Sequence, residues 1–152
     1  MLFRSNYHTM KFLNWIFVVI GVLGLISVRF LENSLFYDPF LDFFKGNYKV
    51  ELAPDFILWK LILSHFFRFL LNLFFSAKVV HFMFLNKKWT LQAVLLMAIA
   101  FIVFFPIYLW CIYSKMEIGY LFTFSVRRFV IQPIILLLII PIFYYRKKLE
   151  KN

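Results

Sequence analysis

Residues 56–84 read FILWKLILSHFFRFLLNLFFSAKVVHFMF. This run holds no acid and is longer than the roughly 20 residues that cross about 30 Å of hydrocarbon. It is therefore a membrane span, long enough to tilt or to project past one interface. Four of its polar residues, His65, Arg68, Asn72 and Ser76, recur at steps of three and four. At about 100° per residue they fall within roughly 80° of one another and form one stripe. Lys60 and His81 point elsewhere and lie nearer the ends, where a long lysine reaches the interface. A charge at the centre of a span costs about 2.5–3.5 kcal/mol on the mildest scale, so Arg68 must face protein or a polar cavity.

Working outward, three more apolar segments can be drawn, at 12–31, 90–113 and 119–145. Together they predict an all-α integral membrane protein, a four-helix bundle formed as a single transmembrane domain over 1–152. The segment 33–54 alternates aromatic and apolar residues (Leu35, Phe36, Tyr37, Phe40, Phe43, Phe44) with acids, a pattern expected of an interfacial stretch. Pro106 and Pro133 are expected to kink their helices, with neighbours such as Gln132 satisfying the freed carbonyls.

Basic residues set the expected orientation. With the N-terminus inside, nine (Arg4, Lys11, Lys78, Lys87, Lys88, Arg146, Lys147, Lys148, Lys151) lie on the inner side and four (Arg29, Lys45, Lys49, Lys115) outside. That asymmetry predicts both termini in the cytoplasm. Trp15 and Trp89 then fall near inner ends, and Trp59 and Trp110 near outer ends, where indole rings favour the headgroup level.

The chain has 152 residues, of which 64% are hydrophobic, and a net charge of +10. The cations sit mainly beside the spans, so orientation and anionic lipid explain them, and nucleic acid is not an expected partner. Cys111 is the single cysteine, which excludes a disulfide framework, and no Cys/His spacing fits a metal site. No cofactor is implied. The first apolar run lacks a small-x-small cleavage site, so an uncleaved anchor is expected.

On the fourth span Ser125, Arg128 and Gln132 share a face, and Arg127 projects about 100° away. Spans two and four run in the same direction. His65, ten residues past Asp55, and Arg128, nine past Gly119, then lie at similar depth, about 13–15 Å in. Two polar stripes at equal depth are expected to meet around a cavity shared by Arg68 and Arg128. No Asp or Glu occurs between Phe56 and Met116, or from Ile118 to Tyr145, so the anion must come from elsewhere. Arg68, Arg127, Arg128, His65, Asn72 and Gln132 are the candidate anion- or partner-binding residues. Glu32, Tyr37 and Asp38 are the candidates from the outer segment, should it fold back over the bundle.

Each of these has a plainer reading. Buried His, Asn, Gln and Ser often serve only as interhelical hydrogen bonds. Arginine is a poor choice for that role, since it donates without accepting and needs an anionic partner. Arg127, off the stripe, is a candidate for pairing with an outer-segment acid. His65 beside Arg68 is the one candidate base, without a placed nucleophile. Cys111 in an apolar run reads as a small core residue.

Three strings carry a family resemblance: RFLENSLFYDPFLDFF over Arg29–Phe44, then His65-x-x-Arg68-Phe69-x-x-Asn72, then RRFVIQP from Arg127, followed by Pro141-x-Phe143-Tyr144. With these the chain resembles the exosortase F system-associated membrane proteins, over about residues 29–145. The resemblance implies a small multi-pass protein of the bacterial inner membrane that works beside a type F exosortase. It implies association, since that family brings no catalytic residues to transfer. The expected function is then an accessory sorting protein that binds an anionic group between its arginines, such as the phosphate of an anionic membrane lipid, a terminal carboxylate or an acid of the partner. The alternatives are a membrane-embedded enzyme acting on a lipid or sorted protein with His65 as base, and a purely structural subunit whose arginines pair with loop acids.

Overall fold

The computed structural model describes residues 2–46, 55–115, 117–132 and 134–150, with side chains of the first helix described from Lys11 onward. These residues are helical apart from turns and short connections, and no strand occurs among them. Three long helices, α1 (Leu2–Phe30), α4 (Leu58–Phe84) and α5 (Lys87–Tyr113), are each long and apolar enough to cross a membrane. Two short ones, α2 (Glu32–Leu35) and α3 (Phe40–Lys45), fall between the first and second. The last pair, α6 (Tyr120–Ile131) and α7 (Ile134–Leu149), bends by 61° at its junction and meets the same test as a pair.

The kink expected at Pro133 in the span over 119–145 is a break between α6 and α7. Pro133 supplies no N–H and disfavours helical backbone in the residue before it. Gln132 is accordingly extended (φ −100°, ψ 142°). Pro106, by contrast, lies inside α5 without ending it. The turn between α4 and α5 is two residues long. Leu85 closes α4 in the left-handed region (φ 54°), and the Asn86 side chain accepts hydrogen bonds from the backbone of Lys88 at 3.0 Å and Trp89 at 3.5 Å.

Neighbouring long helices run antiparallel. Phe17 stacks on Phe82 at 4.6 Å, which joins α1 to α4, and Phe69 stacks on Phe101 at 4.1 Å, which joins α4 to α5. Gly21 and Gly24 let α1 approach α4 closely. A Cβ at Gly21 would stand 2.7 Å from a Val79 methyl, and one at Gly24 would meet the Phe75 ring.

The buried face of α4 is apolar at both ends and polar in the middle. Leu61 joins one cluster with Phe40, Phe43, Phe44, Tyr108, Ile112, Val126 and Val130. Val80 and Phe84 join a second, with Trp89, Ala93, Met97, Leu136, Ile139 and Phe143. His65, Arg68, Asn72 and Ser76 lie between these two and are all buried. Outward faces carry Phe66, Phe67, Leu70, Ile99, Ile102 and Leu137, all exposed. Apolar surface of that extent suits hydrocarbon rather than water.

The segment after α1 packs part of its apolar side against the helices. Phe40, Leu41, Phe43 and Phe44 of α3 are buried, and the three phenylalanines belong to the cluster around Leu61. Aromatic rings of this size gain more from packing between helices than from lying at a surface. The remainder of that stretch, 47–54, lies outside the described residues. Of the four tryptophans, Trp15, Trp59 and Trp110 are exposed, and Trp89 is buried against Phe84 and Phe143.

Candidate functional site

The turn after α1 brings two acids to the buried arginines. Glu32 opens α2, four residues past Val28, and Asp38 precedes the Pro39 cap of α3. Arg68 is 2% exposed, and its two terminal nitrogens divide between Glu32 and Asp38, the latter at 3.4 Å. Arg127 meets the same Asp38 oxygen at 2.6 Å. Lys45 reaches Glu32 at 3.8 Å from the exposed side. Phe36 lies 5.2 Å from the guanidinium of Arg68, and Phe44 lies 5.7 Å from that of Arg127. Each ring adds a cation–π contact and keeps solvent away from the ion pairs.

Two carboxylates against two buried guanidinia leave this inner network neutral. In low dielectric an unpaired member would be far costlier than the pair, so the acids anchor their segment between the helices. The network is the reason that a chain with no acid in its spans tolerates two buried arginines.

Arg128 has a different position. Equal depth along the two helices predicts that Arg68 meets Arg128, whereas the structure joins Arg68 to Arg127 through Asp38. The decisive residues are Val126 and Val130, which belong to the core and flank Arg127 on one side of α6. Burying them turns Arg127 inward and leaves Ser125 and Arg128 exposed. The Arg128 guanidinium stands 5.7 Å from the Phe124 ring. Among the described residues no carboxylate lies within ion-pair distance of Arg128 or of Arg29.

These two arginines share a pocket of about 260 Å³ with Lys45 and Arg127. Its other walls are Glu32, Leu41, Phe44, Phe124, Ile131 and Gln132. A narrow extension beside it, of about 20 Å³, is lined by Arg68 and Asn72 together with Arg29, Glu32 and Gln132. Charge alone counts residues 29 and 45 on the outer side of the spans. Nothing in the spacing of Arg29 marks it as a wall residue. Its position follows from the turn at Leu31 that ends α1.

Asn72 is buried and donates its side-chain N–H to the carbonyl of Ile131 at 2.8 Å. Gln132 was expected to satisfy a carbonyl freed near Pro133. The side chain that does so comes instead from α4, and Gln132 is half-buried at the pocket wall. Tyr37 faces away from the arginines, its hydroxyl accepting from the backbone N–H of Ile57 at 3.3 Å, where α4 begins.

His65 is buried with Nδ1 2.9 Å from the Leu61 carbonyl, so Nδ1 carries the proton and Nε2 is the acceptor in the neutral ring. Its ring lies 5.3 Å from that of Tyr108 and 6.0 Å from that of Phe105. Among the described residues, neither the Nε2 atom nor Asp38 Oδ1 has a hydrogen-bond partner. His65 lines neither the pocket nor its extension. Cys111 is also buried. Among the described residues no group of three or more His, Cys, Asp or Glu is placed to hold a metal ion.

Compared with family models, with curated proteins and with solved structures, the chain matches none.

Proposed function

We propose that this protein is a non-catalytic accessory subunit of an exosortase-type sorting system, which holds an anionic group in the pocket between Arg29, Lys45, Arg127 and Arg128. In this reading it is a four-helix bundle of the bacterial inner membrane, with both termini in the cytoplasm. The partner and the compartment rest on the three strings that resemble the exosortase F system-associated proteins. The orientation rests on the nine-to-four bias of basic residues. The anion site rests on one observation. Glu32 and Asp38 are taken up by Arg68 and Arg127, and Arg29 and Arg128 face the same pocket with no carboxylate of their own among the described residues.

A purely structural role is the second reading. The pairing of both buried arginines with Glu32 and Asp38 favours it, because those arginines then need no ligand. It leaves the pocket cations without a purpose. An enzyme that uses His65 as base is the weakest reading, since the imidazole lies against Tyr108 and Phe105, away from the pocket.

Mild-detergent capture from the native host tests the proposal. The parent protein should recover the exosortase, and Arg128→Gln should recover much less at equal abundance in the membrane. Equal recovery with the variant would assign Arg128 no part in the association. Repeated recovery of this protein alone would remove the partner.

A further inference from the structure

The charge count around the pocket narrows what it takes. Five cations, Arg29, Lys45, Arg68, Arg127 and Arg128, line the pocket or its extension. Among the described residues, the acids within reach of them are Glu32 and Asp38. Asp42, on α3, is exposed and does not line the pocket. Five against two leaves an excess of three positive charges. A single carboxylate, or the one charge of a phosphodiester, leaves most of that excess unbalanced. A phosphomonoester next to cations carries close to two negative charges and three acceptor oxygens, and a diphosphate carries more.

The position of the pocket indicates how such a group arrives. It lies between the end of α1 and α6, two helices that do not pack along one another. Its apolar walls are Leu41, Phe44, Phe124 and Ile131, and Phe30, next to Arg29, and Leu121, one turn before Phe124, are exposed. A chain-bearing molecule enters there from the side without parting packed helices. A soluble anion would gain nothing from those walls.

We infer that the pocket holds the phosphomonoester or diphosphate headgroup of a membrane lipid, with Arg29 and Arg128 as its principal contacts. This rests on the proposed anion site and names its ligand. Arg127, held by Asp38 on one nitrogen, also lines the pocket. Gln132 adds a neutral donor beside Arg128.

Native mass spectrometry of the full-length protein in mild detergent tests the assignment with three probes. These are phosphatidic acid, phosphatidylglycerol with the same acyl chains, and inorganic pyrophosphate without a lipid. Phosphatidic acid should be retained about tenfold more strongly than phosphatidylglycerol. The double variant Arg29→Gln/Arg128→Gln should lose that preference at unchanged thermal stability, and Arg29→Lys/Arg128→Lys should keep only part of it, because an ammonium lacks the guanidinium fork. Lys147→Gln/Lys148→Gln, at the opposite end, should leave it intact. Equal retention of the two lipids, or full retention by the double Gln variant, would overturn the inference. Binding of pyrophosphate without phosphatidic acid would overturn the lipid source. Arg128-dependent capture of a protein, with no preference for phosphatidic acid, would overturn this inference and leave the proposed function standing. Loss of both would remove the anion site itself.

Discussion

Asn72 and Ile131, 59 residues apart, are joined at 2.8 Å where α6 gives way to α7. In an unbroken helix the Ile131 carbonyl would accept from the N–H four residues later. The break at Gln132 removes that donor, and the α4 side chain takes its place. Asn72→Leu should therefore lower stability by about 1–3 kcal/mol, the cost of an unmet buried carbonyl. Thermal unfolding of parent and variant in the same detergent measures it. No change would mean that the carbonyl finds another donor.

The Asp38 carboxylate is shared between Arg68 and Arg127, and its side chain is 1% exposed. Asp38→Asn should cost about 3–5 kcal/mol, because a buried guanidinium loses its counter-charge. Adding Arg127→Gln should restore much of the loss. Glu32→Gln should cost less, as that side chain is 16% exposed and solvent screens it. A double-mutant cycle on unfolding free energy checks the coupling, and additive losses would exclude it.

Close approach of α1 to α4 depends on Gly21 and Gly24. Gly24→Leu should force the Phe75 ring aside and cost about 1–3 kcal/mol. Cross-linking of Phe17→Cys with Phe82→Cys in a Cys111→Ser background reports the contact directly. The cross-link should form readily in that background and fall sharply when Gly24→Leu is added.

Arg128→Gln should insert and unfold like the parent, within about 0.5 kcal/mol, since no carboxylate depends on it. Ligand or partner retention should fall all the same. A large loss of stability in the melt would show that Arg128 is structural.

Both termini in the cytoplasm can be tested with single cysteines in the Cys111→Ser background. Ser114→Cys should react with an impermeant thiol reagent in intact cells, and Asn86→Cys should react only after permeabilisation. The reverse pattern would invert the protein.

Much of the architecture was legible in the residues. The three helices long enough to span lie where acid-free apolar runs predict them, because a span's length and composition are set by its own residues and by the hydrocarbon thickness. The polar stripe on α4 was equally legible, since helical periodicity alone places His65, Arg68, Asn72 and Ser76 on one face.

What periodicity does not settle is which face of α6 turns inward. Arg127 and Arg128 are adjacent and chemically identical, and packing of Val126 and Val130 against α3 and α5 chose between them. The burial of α3 has the same origin. Its aromatic and acidic pattern suits an interface as well as a core, and the outcome depended on arginines and rings far along the chain. The sequence by itself determined the spans, the stripe and the need for an anion beside Arg68. Tertiary structure decided that Glu32 and Asp38 supply it, and that Arg29 and Arg128 are left facing a pocket, because pairing energies between distant residues exist only once the helices are packed.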